Sequence, residues 1–370
     1  MYIMRFMLLY SSPVMPPPRL LLVAMLVMLS VLFLVTAFII LYLVQKKNKE
    51  KRLHVWRDQL SDTLQRVIYF EPAEDQSPVT VLTFKTMQEL MHPAFRQLLI
   101  DELILAKKSL TGTAAMNLVA LFNQLHLDKL SLRKLNSRKW HLKARGIQEL
   151  AMMEQRQRVV RIYRLTNAHH ELVRMEAQSA IVQLYGFEGL RFLDIIDTPL
   201  SEWQQIKLLR LLARAPGILP DKVGSWLASA NDSVRIFALK LVAEHHQQEL
   251  HNEVMNCLYH DNPQVRLQAI RCLREIYTED TSVALFGIYG IETSPCRLAI
   301  LDTLGHIGSD CDCGFLTRRL ENDDNDFRMA AARALVKLGG PGLQCLEQFP
   351  KAAIQPWKEI IEQAKSEWTA

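Results

Sequence analysis

Asn262-Pro263-Gln264-Val265-Arg266-Leu267-Gln268-Ala269-Ile270-Arg271-Cys272-Leu273 reads as the opening of a helix. Asn262 is a good N-cap, Pro263 suits the first turn because its missing N–H would be unpaired there anyway, and Val265, Ala269 and Leu273 fall four apart on one stripe. The stretch recurs. Steps of 31 residues from Arg266 reach Arg235 in one direction and Arg297 and Arg328 in the other. Backward from Arg235, one step of 30 reaches Gln205, and two steps of 31 reach Arg174 and Lys143, giving seven units. An internal period of this size marks a stacked repeat protein.

In the clearest units an apolar residue precedes the marker (Val173, Val234, Val265, Phe327) and a small one follows three later (Gly146, Ala177, Ala238, Ala269, Ala331). Four positions on come Leu150, Ile181, Val242, Leu273, Leu304 and Leu335. This stripe should face the core, its small central residue letting a neighbouring helix approach. Leu227, Leu258 and Leu320 keep the same beat in a shorter apolar segment ahead of the marker, so each unit is expected to be two antiparallel helices. Asn231-Asp232-Ser233 and Asp323-Asp324-Asn325-Asp326 place helix-starting acceptors at the equivalent turns.

The pattern of acidic or Asn turn, Val-Arg, then x-x-Ala-x-x-x-Leu resembles HEAT repeats, in the short bacterial form also called HEAT-like repeats of bilin-lyase type. The resemblance covers Trp140 to Phe349 and is strongest at Val234-Arg235, Val265-Arg266 and Phe327-Arg328. It departs at Gln204-Gln205 and Cys296-Arg297, where distortion is expected. The resemblance implies an α-solenoid, and a ladder linking neighbouring repeats through Arg174, Arg235, Arg266, Arg297 and Arg328 with Asp232 and Asp261. These residues would be structural and not catalytic.

Ahead of the array, Leu20 to Val44 carries no charge for 25 positions. As a helix rising about 1.5 Å per residue it would span a bilayer core, and it exceeds the apolar region of a cleaved signal peptide. Lys46, Lys47, Lys49, Lys51 and Arg52 follow, against Arg5 and Arg19 before it. The positive-inside rule then puts the N-terminus outside and the rest in the cytoplasm, a single-pass inner-membrane layout, and the same cluster suits anionic headgroups. Residues 1–19 read as a short lead in which the start is Met1 or Met15.

Leu53, Trp56, Leu60, Leu64 and Val67 continue a helical spacing past that cluster. They suit a partner-binding stalk, a helix lying on the bilayer near Trp56, or packing on the chain's own next helices. Pro72 and Pro78 with Glu71, Glu74 and Asp75 mark a linker, closing a segment 45–78. Residues 79–139 form a helical lead-in, off the beat, with one helix from Pro93 to about Leu110 closed by Thr111-Gly112 and a second carrying Ala115, Leu118, Leu121, Phe122 and Leu125. The array is placed at 140–350 and a capping helix at 351–370, where Lys358, Glu359, Glu362, Lys365 and Glu367 suit a polar outer face.

An apolar fraction of 49% in 370 residues is ordinary for a folded chain, and a net charge of +5 does not by itself argue for nucleic acid. Cys257, Cys272, Cys296, Cys311, Cys313 and Cys345 lack the spacing of a disulfide framework and read as reduced thiols. Cys311-Asp312-Cys313 has no second ligand pair to complete a zinc site, and His245, His246, His251 and His260 read as a solvent-exposed set. No phosphate-binding glycine loop, H-E-x-x-H or G-x-S-x-G occurs, so no catalytic residue, metal or cofactor is expected.

The strongest candidate binding feature is the basic run Lys129, Arg133, Lys134, Arg138, Lys139, Lys143 and Arg145 around Trp140 and His141, suited to acidic lipid, an acidic protein segment or nucleic acid. The expected function is a membrane-anchored, cytoplasm-facing scaffold for protein–protein interaction. Its resemblance in layout to bacterial membrane-anchored repeat proteins implies an envelope or polysaccharide-export assembly. A bilin-lyase-like enzyme and a nucleic-acid-binding solenoid are the alternatives, the first disfavoured by the membrane helix and the second by the modest net charge.

Overall fold

A computed structural model describes residues 18–71, 78–215 and 219–369. The lead residues 1–17, with the choice between Met1 and Met15, and the linker centre 72–77 lie outside the described residues. Those that are described form helices and turns without a strand. The chain divides into two compact units, Met1–Leu127 and Asp128–Ala370.

In the first unit, α1 (Pro18–Ile68) is one helix of 51 residues that runs unbroken through the apolar stretch, the basic cluster and the spacing beyond. It is long and apolar enough to cross a membrane. Leu22, Phe33, Phe38 and Leu43 are exposed, as a helix without a protein partner on that half must be. The lower half is different. Trp56, Leu60, Leu64 and Val67 are buried, which realises the third of the readings for that face: the helix packs on its own chain.

Short α2 (Phe84–Glu89), α3 (Pro93–Ser109) and α4 (Gly112–Gln124) supply the other side of that core through Phe95, Leu99, Leu103, Leu118, Leu121 and Phe122. Trp56 meets Phe95 edge-on at 5.4 Å. Asn117, itself buried, donates to the carbonyls of Val67 (3.2 Å) and Phe70 (2.8 Å) and so satisfies the C-terminal end of α1. Gly112 at φ +67° makes the turn between α3 and α4, a conformation that a side chain would strain.

The second unit begins with α5 (Asp128–Leu135) and α6 (Trp140–Met152). They are the two helices of the unit marked by Lys143. The boundary expected at 139/140 therefore falls inside a helix pair, because the first helix of that unit is too short to show a period of its own. Gly146 is the reason the pair closes. A Cβ there would lie 2.6 Å from the backbone nitrogen of Leu135 and 2.7 Å from the carbonyl oxygen of Ser131.

The next pair is α7 (Val159–Tyr163) and α8 (Glu171–Tyr185). In the Gln205 unit a 3-10 stretch, Gly186–Asp194, takes the place of the first helix ahead of α9 (Glu202–Leu212), matching the departure seen at Gln204-Gln205. Regular pairing resumes with α10 (Val223–Leu227) and α11 (Asp232–Glu244), then α12 (His251–Asn256) and α13 (Pro263–Leu273). It continues through α14 (Glu279–Tyr289) and α15 (Ser294–Ile307), α16 (Cys313–Asn322) and α17 (Asn325–Lys337).

The Cys296-Arg297 unit is a regular pair, with Ile300 fully buried where other units carry a small residue. The close approach has moved one turn along, to Gly305, whose Cβ would meet the Ala334 backbone at 2.7 Å. Then α18 (Gly340–Glu347) and α19 (Trp357–Thr369) close the stack. Ile360, Ile361 and Ala364 of α19 are buried while Lys358, Glu359, Glu362 and Glu367 face solvent, and Arg333 of α17 holds Glu367 through two bonds of 2.7 and 2.9 Å.

The stripe −1, +3, +7 about each marker is the core of the unit. Val234, Ala238 and Val242, then Val265, Ala269 and Leu273, are without exposed surface and belong to one continuous apolar cluster running from Val182 to Ala364. Burying such aliphatic side chains stabilises the stack by about 1.5–3 kcal/mol each.

Candidate functional site

Two surfaces of the second unit are candidates: the edge formed by the turns inside the pairs, and the face formed by the second helices.

The recurring arginines belong to the first. Each folds back on the turn of its own unit, donating to carbonyls left open where the preceding helix ends: Arg174 to Ala168 (2.8 Å), Arg235 to Ser229 (2.8 Å), Arg266 to His260 (2.8 Å) and Asp261 (2.9 Å), Arg297 to Gly290 (3.0 Å), and Arg328 to Glu321 (3.5 Å). A cation at the C-terminal end of a helix also meets its dipole. Two of the five reach the following pair: Arg266 through 2.7 and 3.1 Å bonds to the buried carboxylate of Glu292, and Arg328 by lying over the Trp357 ring of α19 at 4.9 Å.

The links between units run mainly through other residues. Trp140 stacks on His170 at 4.7 Å, Asn167 donates to Asp197 (2.9 Å), Asn231 to the carbonyl of Thr198 (3.2 Å), Asn262 to Asp232 (2.7 Å), and the Tyr289 hydroxyl to Asp323 (2.6 Å). Asp232 is thus an inter-unit acceptor, as the resemblance implies. Asp261 contributes its backbone carbonyl. A run of short polar turn residues does what the arginine was expected to do, because a side chain that must span only the gap between adjacent turns can be short.

The basic run splits in two. Lys134 and Arg145 turn inward onto Glu149, which is 2% exposed: Lys134 lies 2.5 Å from one carboxylate oxygen and 2.6 Å from the other, Arg145 at 3.1 Å, and Ser131 donates at 2.7 Å. Lys134 and Ser131 tie α5 to α6, whereas Arg145, on α6 itself and exposed, pairs with Glu149 along one helix. Lys129, Arg133, Arg138 and Lys139 are exposed and Lys143 is half-buried, and none of them forms an ion pair among the described residues. They surround Trp140, which is 44% exposed.

The histidines scatter. His251 is buried and bonded to the hydroxyls of Thr281 (2.9 Å) and Thr278 (3.2 Å), His260 accepts the Asn262 N–H (3.1 Å), and His245 packs edge-on against Phe187. His246 alone of the four is exposed, its ring 3.3 Å from the Glu275 carbonyl, so the other three are local structural contacts and not members of an exposed set. Cys311 is exposed and Cys313 buried, while the Asp312 carboxylate accepts from the Ser309 N–H (2.6 Å) and the Ser282 hydroxyl (3.2 Å). Among the described residues no three His, Cys, Asp or Glu side chains gather in a way that could hold a metal ion.

The second surface was not anticipated. One position after the markers, Ile206, Ile236, Leu267 and Leu298 repeat on the beat beside the core stripe; Ile206 and Leu298 are exposed, Ile236 and Leu267 are half-buried against the core, and together they line two adjoining hollows of about 1130 and 920 Å³. Lys240, Gln268 and Arg271 border both, so the hollows form one groove across α9, α11, α13 and α15. Lys240 is fixed by Gln205 Oε1 at 2.8 Å. Burial pushes its ammonium below the ordinary value, Glu202 opposing and Arg271 adding to the shift. Apolar side chains set among amides and charges of both signs give a surface for binding an extended chain.

These helix pairs define an all-helical repeat protein, an α-solenoid of the HEAT-like class. No protein-family model matches the chain, and no curated protein matches it. The chain is similar to several solved structures: an engineered protein (15% identity, 84% of this chain and 98% of that one, TM-score 0.37), a tubulin-recruiting TOG-domain array of microtubule polymerases (14%, 75% and 77%, 0.25), and the CpcE–CpcF complex of phycocyanin lyase from Nostoc (13%, 81% and 98%, 0.25). At such scores the fold class rests on the helix pairs themselves.

Proposed function

We propose that the protein is a membrane-anchored scaffold that holds an extended segment of a partner protein in the groove of α9, α11, α13 and α15. The observation that carries this reading is the groove itself: four successive units line it at one register, Ile206 and Leu298 with exposed aliphatic side chains and Ile236 and Leu267 with half-buried ones. Binding and not chemistry is the reading these residues support. The anchor is α1, whose apolar exposed half suits lipid and whose flanking lysines favour a cytoplasmic array. A partner in an envelope or polysaccharide-export assembly is the narrower form of this proposal, supported by layout alone.

A photo-crosslinking side chain placed at Leu267 in the groove, and separately at exposed Val283 on α14, tests it in the living host. The groove position should give a discrete crosslinked protein that Ile206→Glu with Leu298→Glu removes, and the α14 position should not. Equal crosslinking from both positions would overturn the groove. Resistance of the chain to alkaline carbonate extraction tests the anchor separately.

A further inference from the structure

The turn edge is electrically lopsided. At its first turn Arg133, Arg138, Lys139 and Lys143 stand beside Trp140, with no ion pair among the described residues. At the α16–α17 turn, Asp324 and Asp326 are exposed and Asp323 is half-buried, with Arg328 on the same turn and Lys351 of the closing turn bonded to Glu321. The edge is continuous, since each turn is bonded or stacked to the next. The arginines of the later units are engaged by their own turns or by Glu292, so the first turn alone gathers cations without carboxylate partners among the described residues, and that end is drawn to a strongly anionic plane.

We infer that the first turn of the array is a second membrane contact, in which Arg133, Arg138 and Lys139 bind anionic lipid headgroups and Trp140 seats at the interface. Charge complementarity selects this occupant. Trp140 is a half-exposed indole held by stacking on His170, as a ring lodging at the headgroup level must be. The inference rests on α1 being a membrane anchor, which keeps the array beside an anionic leaflet.

The test uses the full chain in proteoliposomes whose acyl chains carry bromine, with Trp140→Phe subtracted so that the quenched emission is that of Trp140. In vesicles containing phosphatidylglycerol the Trp140 signal should be quenched. In pure phosphatidylcholine, and at raised salt, it should be largely restored. Arg133→Gln, Arg138→Gln and Lys139→Gln together, at exposed positions where the fold is kept, should weaken the contact on the order of 100-fold, from about fivefold per basic side chain at an anionic surface. A chain that stays with the vesicles after carbonate while Trp140 is never quenched overturns this contact and leaves the anchor standing. Quenching of a chain that carbonate extracts overturns the anchor and leaves the contact. If a short oligonucleotide abolishes the quenching and binds the triple variant poorly, the anion is nucleic acid and the lipid assignment fails.

Discussion

Replacing Arg266 by alanine should harm the stack far more than the same change at Arg235, although the two sit at identical places in the repeat. Arg266 makes four hydrogen bonds: two to Glu292, which is 6% exposed, and two to the carbonyls of His260 and Asp261. Its removal strands a buried carboxylate, which costs about 3–5 kcal/mol. Arg235 donates once, to Ser229, and its Nε has no partner, so its loss should cost about 0.5–1.5 kcal/mol. The expected gap is about 2–4 kcal/mol.

Because a repeat array need not unfold in a single step, the measurement should be local: amide hydrogen exchange in α14 and α15, with urea titration as the global companion. Removing both charges, as in Arg266→Leu with Glu292→Met, should recover most of the loss. Equal losses for the two alanine variants would show that the arginines act as interchangeable struts, and the reasoning from Glu292 would be wrong.

Gly146→Ala should destabilise by about 1–3 kcal/mol, because the added Cβ meets backbone atoms of Leu135 and Ser131, while Gly287→Ala, with nothing within 4 Å, should be neutral or stabilising by up to about 1 kcal/mol in thermal unfolding. Burial raises the pKa of Asp302, but the Lys337 bond with the charges of Lys337, His306 and Arg274 outweighs it and leaves the carboxyl below its ordinary 3.8. Its contribution is therefore present above that value and lost as the pH falls through the lower folded one, so the stability difference from Asp302→Asn should vanish in that acid range and stay constant at neutral pH. Burial raises the thiols of Cys257, Cys272 and Cys296, whereas Cys311 is exposed. Alkylation followed by mass spectrometry should mark Cys311 in the native chain and the other three only on unfolding.

The helix pairs were legible because their stripe repeats: Val265, Ala269 and Leu273 announce a core face by their spacing alone. The first unit of the array was harder, since Gly146 keeps the beat but α5, the eight-residue helix it closes on, carries no periodic residue of its own. The basic run was visible as composition, yet nothing local says that Lys134 and Arg145 share Glu149 while Arg133 and Arg138 stay free of ion pairs. The groove was hidden for the opposite reason. Ile206, Ile236, Leu267 and Leu298 keep the beat, and apolar residues on a beat look like core until the geometry of the second helices shows them lining an open groove.

The unbroken length of α1 has a mechanical consequence. Its apolar half and its packed half share one helical phase, so whatever fixes the helix in a bilayer also fixes the heading of Trp56, Leu60 and Val67 and of the core closed on them. Inserting one residue between Val44 and Trp56 would turn that core by about 100° and lift it about 1.5 Å, whereas inserting a full turn would restore its heading at a greater height. In the proposed anchoring, α1 would therefore act as a keyed shaft and not as a tether, and torsion applied at a membrane would be delivered to the first unit.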